Sequence, residues 1–251
     1  MGNIDTIAVL SDIHGNRWAL EAVLHDIDRR GIRRFINLGD CVYGPLDPAG
    51  TADLLMSLGQ RTVRGNEDRI IVHEDVIAPV SPTLAYTRDQ LKGRHLKWLA
   101  GLPLSATIEP TIFFFHGIPE RDDQYLLREV TPQGLRGRSP EDLETLLQGI
   151  NYPLILCGHD HLPATMTLPD GRVVVNPGSV GLQVYTDDQP HDHAVSNGSP
   201  HARYAVVRRI DSGWTVDHLE VEYDWATAAE TASANGRDDW AHWLKTGLAE
   251  R

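Results

Sequence analysis

Residues 6–16 have the sequence TIAVLSDIHGN. The run Thr6–Leu10 predicts a short buried strand, and the polar pair Asp12 and His14 follows directly after it. Arg17–Arg30 then carries apolar residues at helical spacing, which predicts a helix. A strand that passes through a polar turn into a helix is typical of α/β proteins.

The same order continues over the first seventy residues. Arg34–Leu38 and Gln60–Val63 predict two further strands, and Asp47 with Pro48 predicts the start of a helix between them that ends at Gly59. Strand and helix in alternation predict parallel strands joined by crossovers. Further along, the patterns predict helices within 81–100 and 139–149, strands at 112–116 and 154–157, and hairpins at 165–175 and 204–221.

Length and composition predict one domain. The 251 residues contain no internal repeat or long linker, so we expect a single domain over residues 1–251. Within it we expect a helical insertion at about residues 70–105 and a polar surface loop at about 187–200. That loop contains His191 and His193, and three interpretations remain open: it lines a substrate site, it binds an extra metal ion, or it is solvated.

Charge and cysteine content exclude several classes of function. The formal net charge is −12, which opposes avid binding to duplex nucleic acid. Two cysteines, Cys41 and Cys157, do not form a disulfide framework. No apolar run approaches the roughly 18 residues of a membrane helix, and the N-terminus lacks a signal-peptide pattern. We therefore expect a cytoplasmic protein without membrane association.

Side chains of the kinds that bind metal ions follow five of the predicted strands. Each stands at the carboxyl end of its strand, which is the edge where ligands bind in open α/β sheets. Two of the groups are spaced i, i+2, so that both side chains of a pair project to one face in an extended segment. Imidazole, carboxylate and amide donors together suit Mn, Fe, Zn or Co rather than Ca. The candidate ligands are Asp12, His14, Asp40, Asn66, His116, His159 and His161.

These residues stand in short motifs that resemble the calcineurin-like metallophosphoesterase superfamily. Five motifs occur in the superfamily's order: Asp12-Ile13-His14, Gly39-Asp40, Gly65-Asn66, His116-Gly117 and Gly158-His159-Asp160-His161. Two stretches further resemble its small bacterial phosphodiesterase branch, namely Ser11-Asp12-Ile13-His14-Gly15-Asn16 and Asn176-Pro177-Gly178-Ser179-Val180-Gly181. One motif alone would be weak evidence, but five in order are specific.

The resemblance implies a fold and a metal centre. The fold is α/β, a four-layer sandwich of two mixed β-sheets flanked by helices. Two divalent transition-metal ions are implied, most readily Mn, with Fe, Zn, Ni or Co as alternatives. Asp40 would bridge the ions. One ion would be held by Asp12, His14, Asp40 and His161, and the other by Asp40, Asn66, His116 and His159.

Two such ions imply a hydrolytic mechanism. They would lower the pKa of a bridging water, which attacks phosphorus in line, so that no protein nucleophile is needed. Asn66 would orient a phosphoryl oxygen while it ligates. Many superfamily members have His after the Gly-Asn pair, where this chain has Glu67. A Glu beside two cations is expected to stay ionised, so it is a poor proton donor and favours good leaving groups.

The expected substrate is small and phosphorylated, with nucleotides among the candidates. Arg17 and Arg64 lie beside the motifs and are candidate substrate contacts; the resemblance adds Gly178 and Ser179. We expect hydrolysis of a phosphodiester or a nucleotide phosphoanhydride by a monomer or small homo-oligomer. The alternatives are a phosphomonoesterase, with phosphoproteins among its substrates, and a non-catalytic metal-binding scaffold.

Overall fold

Two five-stranded sheets form the centre of the computed structural model, which describes residues 6–73, 81–108 and 110–249. The strands in chain order are β1 (Thr6–Leu10), β2 (Phe35–Asn37), β3 (Arg61–Thr62), β4 (Ser105–Ile108), β5 (Ile112–Phe115), β6 (Arg128–Thr131), β7 (Gly134–Gly137), β8 (Leu154–Leu156), β9 (Ala164–Thr167), β10 (Val173–Asn176), β11 (Val184–Asp187), β12 (His193–Ser196), β13 (Ala202–Ile210) and β14 (Gly213–Val221). The helices are α1 (Arg17–Arg29), α2 (Pro48–Leu58), α3 (Asn66–Val72), α4 (Pro82–Gln90), α5 (Gly93–Ala100), α6 (Pro140–Leu146), α7 (Trp225–Ala234) and α8 (Asp238–Thr246).

Both large sheets are mixed. The first has the order β14-β13-β1-β2-β3; β1, β2 and β3 are parallel, and β13 is antiparallel to β1 with Ala8 opposite Val206. The second has the order β4-β5-β8-β10-β9, with β5, β8 and β10 parallel and both edges antiparallel. The expected pair of mixed sheets is confirmed.

The alternation of apolar residues along β1 explains the layers. Ile7 and Val9 pack against the second sheet, where they meet residues such as Phe114 in the core between the sheets. Ala8 and Leu10 point the other way, into the core beneath the helices. A third apolar cluster lies on the other face of the second sheet. The order of layers is therefore helix, sheet, sheet, helix.

Helix ends follow the polar residues that the sequence supplies. The Asp47 carboxylate accepts from Gly50 N at 2.9 Å and caps α2, which ends at Gly59 in the left-handed conformation. Ser139 and Asp142 form a reciprocal capping box at the start of α6. These predicted starts and ends are confirmed.

The segment 187–200 is not all loop. It contains β12, which pairs with β11 so that Tyr185 lies opposite Val195. His193 and Val195 are buried, whereas Ala194 and Ser196 are exposed. This short alternation was hidden by the polar composition of the segment. The predicted insertion at 70–105 contains the end of α3 and all of α4 and α5; residues 74–80 of it lie outside the described residues.

Within the three described ranges, no helix combines the length and the apolarity that crossing a membrane requires.

Candidate active site

The structure brings the seven candidate ligands to one edge formed by both large sheets. They follow β1, β2, β3, β5 and β8 at the carboxyl ends of those strands. Two groups could each hold a metal ion, and within each group the ligand atoms lie within 4.8 Å of one another. The first group is Asp12, His14 and His161, and the second is Asp40, His116 and His159.

Asp40 lies between the two groups. Its Oδ2 is 3.3 Å from His116 Nε2 and 3.9 Å from His14 Nε2. Asn66 joins the second group, with Oδ1 at 3.1 Å from His116 Nε2. A carboxylate oxygen that faces a nitrogen of each group is in the position that a bridging ligand requires.

Backbone carbonyls fix the tautomers of three of the imidazoles. Nδ1 of His14 donates to the Tyr43 carbonyl at 3.1 Å, Nδ1 of His116 to Leu38 at 2.8 Å, and Nδ1 of His161 to Leu182 at 2.6 Å. In the neutral rings the lone pair therefore lies on Nε2, on the side of the metal groups. Carbonyl partners of this kind orient histidines that bind metals.

The donor atoms fit a metal cation. Nε2 of His14 and His161 face each other at 3.2 Å, and two lone pairs at that distance need a cation or a proton between them. Burial and the neighbouring His161 lower the pKa of His14 to about 4, so this ring carries no extra proton at neutral pH. Asp12 Oδ1 is buried and makes no hydrogen bond, which leaves it free to coordinate.

The two histidines of the second group have pKa values shifted in opposite directions. Burial and the charge of His116 lower the pKa of His159 to about 3. Burial also lowers the pKa of His116, but the Asp40 carboxylate outweighs it and raises that pKa to about 10. In the metal-free chain a proton on His116 therefore compensates the carboxylate, and metal binding would release it.

The backbone at the site is unusual. Among the described residues, the non-glycine residues with positive φ are Asp12 (56°), His14 (51°), Asp40 (52°), His159 (74°) and His161 (57°). A left-handed residue with a Cβ costs about 1–2 kcal/mol, and such strain concentrates at functional sites. The turns after the strands hold these side chains against that cost.

Close backbone packing supports the turns. A Cβ added at Gly158 would overlap the Ser11 hydroxyl, and one added at Gly65 would overlap the Asp40 carboxylate. Both positions therefore require glycine, because the ligand turns of different strands pass within contact distance.

Asp68 is a positioning residue that was not predicted from the sequence. Its buried carboxylate accepts from the backbone N–H of Asp40 at 2.9 Å, Cys41 at 2.9 Å and Gly65 at 3.0 Å. It thereby ties the turn of Asp40 to the turn before Asn66. The signal was present, because Asp68 occupies the third position of α3, where a carboxylate caps a helix.

A second buried carboxylate, Asp160, was also missed. It accepts from Asn176 Nδ2 at 2.8 Å and from Arg128 Nη1 at 2.9 Å. Its position between His159 and His161 was visible in the sequence, but its partners come from distant segments. These bonds anchor the turn that carries both histidines.

Two cavities meet at the metal groups. One, of about 290 Å³, is lined by ligands of both groups and by Glu67, Tyr185 and Arg237 among others. The other, of about 570 Å³, is lined by Arg121, Arg128 and Arg138 with acidic partners. We call them the metal cavity and the side cavity. They share the residues Asn66, Tyr125, His159 and Asp187.

Part of the segment predicted as a polar loop lines these cavities. Asp187 borders both of them, and Gln189 and Pro190 border the side cavity. Of the three interpretations of this segment, the one that places it at the site therefore agrees with the structure for these residues.

Glu67 lines the metal cavity, and its backbone N–H donates to Asp40 Oδ1 at 2.9 Å. Burial together with Asp40 and Asp68 raises its pKa well above the usual value. Two bound cations are expected to act in the opposite direction and to keep this carboxylate ionised.

The four predicted substrate contacts have other partners. Arg17 pairs with Glu21 at 2.7 Å on the surface of α1, and Arg64 lies 3.5 Å from Asp122. The Ser179 hydroxyl is buried and donates to the Asp12 carbonyl at 2.8 Å. Gly178 N donates to the Asn176 side chain at 2.9 Å. None of the four lines either cavity, so their contact with substrate stays a prediction.

Comparison with known families gives the same assignment as the site. The model of the family described as calcineurin-like phosphoesterase matches residues 5–163, which is more than half of the chain and includes all seven candidate ligands. The chain belongs to the calcineurin-like phosphoesterases. The resemblance drawn from the motifs is confirmed, and membership places the protein among the hydrolases of phosphoric esters.

Relatives of this phosphoesterase extend over nearly its whole length. The uncharacterized protein MJ0912 of Methanocaldococcus jannaschii is 30% identical over 260 residues, which cover 93% of this chain and 94% of that protein. The crystal structure of a metallophosphoesterase from Sphaerobacter thermophilus has a TM-score of 0.75 at 26% identity and covers 98% of this chain and 100% of that one. Hypothetical protein PH1004 from Pyrococcus horikoshii OT3 shares the fold, with a TM-score of 0.72, 22% identity and coverage of 98% and 99%.

Proposed function

We propose that this phosphoesterase hydrolyses a phosphodiester or a nucleotide phosphoanhydride in a reaction that depends on two divalent transition-metal ions, most readily Mn. One ion would be held by Asp12, His14, Asp40 and His161, and the other by Asp40, Asn66, His116 and His159. When bound, two such ions polarise the phosphoryl oxygens and lower the pKa of water.

The observation that carries the proposal is that two of the candidate ligands line both cavities. Asn66 and His159 line both the metal cavity and the side cavity, and each cavity is otherwise lined mostly by residues of its own. A phosphorus atom held at these shared ligands would therefore have room for one substituent in each cavity. A phosphodiester or an anhydride has two substituents, whereas a monoester would leave one cavity empty.

The protein groups orient the reacting phosphoryl group. Asn66 turns Oδ1 towards His116, which leaves its amide nitrogen to donate to a phosphoryl oxygen. The carbonyl bonds to Nδ1 of His14, His116 and His161 hold the imidazoles in one orientation before substrate arrives. Such preorganisation lowers the cost of reaching the transition state.

The complete ligand set opposes the alternative of a non-catalytic scaffold. All seven candidate ligands converge, and five of them are held in a strained conformation. A fold used only for partner recognition would have no reason to maintain that strain.

The test is hydrolysis of bis(p-nitrophenyl) phosphate and p-nitrophenyl phosphate by metal-stripped protein and after Mn²⁺ is restored. We expect Mn²⁺-dependent turnover that is faster for the diester. Asp40→Asn keeps a residue that tolerates positive φ, and we expect it to lower turnover by at least about 100-fold, because even an outer partner of a ligand contributes 10–100-fold. Asp211→Asn, in the exposed turn between β13 and β14, is the control.

Two results would contradict the proposal. One is a folded, metal-loaded protein that prefers the monoester. The other is Asp40→Asn with turnover close to that of the unmodified chain, which would remove Asp40 from the metal centre.

A further inference from the structure

One wall of the metal cavity comes from the C-terminal part of the chain. Arg237, immediately before α8, and Trp240 and Trp243 within it all line the cavity. They lie outside residues 5–163, the part that matches the family model and contains the ligands. The ligand groups supply the chemistry common to the family, so this wall is where a particular substrate would be selected.

The Arg237 side chain is held in one orientation. Nε and Nη2 donate to the two carboxylate oxygens of Asp239 at 2.9 and 2.7 Å, and Nη1 donates to the Thr83 hydroxyl. The guanidinium also lies 5.5 Å from the ring of Trp240. Because these bonds use one hydrogen on each terminal nitrogen, a second N–H on both remains to donate to a ligand.

The same indole connects Arg237 to the metal ligands. Trp240 packs edge-on against the His14 ring, with centroids 6.0 Å apart. A single side chain, that of Trp240, therefore lies between the guanidinium and the first ligand group. Among the described residues that line the metal cavity, Arg237 is the one arginine or lysine, while Asp40, Glu67 and Asp187 are acidic.

We propose that Arg237 binds a second anionic group of the substrate, next to the phosphoryl group at the metal ligands. The site then favours substrates with charge beyond the scissile phosphate, that is, nucleotide phosphoanhydrides, over singly charged diesters. This inference rests on the proposed function and chooses between its two substrate classes. A planar guanidinium with hydrogens on both terminal nitrogens matches two oxygens of a phosphate.

The experiment compares two substrates across variants of Arg237. For Arg237→Gln we expect kcat/KM for diadenosine tetraphosphate to fall by about 10- to 100-fold, the range of one charge-assisted hydrogen-bonded contact. The fold-decrease in kcat/KM for bis(p-nitrophenyl) phosphate should be at least about ten times smaller than that for diadenosine tetraphosphate. Arg237→Lys should recover part of the anhydride activity, because it keeps the charge without the planar fork. Equal losses on both substrates would overturn the proposal.

A purely structural role for Arg237 predicts a different pattern. If its pairing with Asp239 only holds α8 in place, Asp239→Asn should reproduce the loss seen in Arg237→Gln. We expect instead that Asp239→Asn retains the preference for the anhydride. Arg94→Gln, which removes an exposed pair with Asp53, is the remote control, and circular dichroism establishes that each variant is folded.

Equilibrium binding separates this inference from the proposed function. Titration calorimetry with the non-hydrolysable adenosine 5′-(α,β-methylene)diphosphate needs no turnover. We expect Arg237→Gln to weaken its affinity by about 10-fold or more. If the unmodified protein hydrolyses neither substrate, the proposed function fails while this measurement still decides the role of Arg237. Unchanged affinity in the variant would overturn that role.

Discussion

The carboxylate of Asp68 offers a test of how the Asp40 turn is held. Its Oδ2 accepts from the N–H groups of Asp40 and Gly65, and its Oδ1 accepts from Cys41. In Asp68→Asn one of these oxygens becomes an NH₂ group that cannot accept. In the lower-energy orientation that NH₂ group lies against the Cys41 N–H. One hydrogen bond to the carboxylate is then lost, and two donors face each other.

The magnitude follows from that loss. Burial and the neighbouring Asp40 raise the pKa of Asp68 to about 7, so the carboxylate is charged above that pH. There a hydrogen bond to it contributes about 1.5–3 kcal/mol, and the site is fully buried, so water does not replace the lost acceptor. For a protein of about 250 residues, each kcal/mol lowers the melting temperature by about 2–4 °C. We therefore expect Asp68→Asn to melt about 3–12 °C lower. Metal affinity should fall by about 10- to 100-fold, as for other residues that position a ligand.

Thermal unfolding and competition with a chelating indicator measure the two effects. Asp142→Asn is the matched control, because Asp142 occupies the same third helical position in α6, but its side chain is 41% exposed and accepts from Ser139 N rather than from a ligand turn. Its free energy of unfolding should lie within about 1 kcal/mol of that of the unmodified protein, and it should bind metal equally well. If Asp68→Asn behaved like Asp142→Asn, the carboxylate would not be what positions Asp40.

Three further outcomes are expected. Removing metal with EDTA should lower the melting temperature, and Mn²⁺ should restore it. At a hundredfold excess over its Kd, Mn²⁺ should add about 2.7 kcal/mol to the free energy of unfolding, and an unchanged melting curve would contradict the metal site. Glu67→His should accelerate substrates with poor leaving groups most, and a uniform effect would separate position 67 from proton delivery. Burial raises the pKa of Asp26, but hydrogen bonds from Arg30 and Tyr204 outweigh it and lower the pKa. Asp26→Asn should therefore lower the free energy of unfolding by its full amount above about pH 5. The difference between variant and unmodified protein should disappear as the pH falls through the lowered pKa, as measured by urea unfolding.

Much of the fold could be predicted because its signals are local. The apolar run of β1, the capping of α2 by Asp47 and the hairpin between β9 and β10 each depend on a few neighbouring residues. The pairs β6 with β7 and β11 with β12 were not predicted. Their strands are short and partly polar, so their pairing, rather than their composition, makes them strands.

The sequence by itself determined which residues could bind metal, because donor type, spacing and position after each strand are properties of the chain. Only the tertiary structure decided how those donors are held. The three acceptor bonds of Asp68 and the approach of Gly158 to Ser11 join segments far apart in sequence. The same holds for Arg237, which reaches the cavity only because α8 packs beside His14. Such contacts leave no periodic or compositional trace, since each depends on the three-dimensional path of the whole chain.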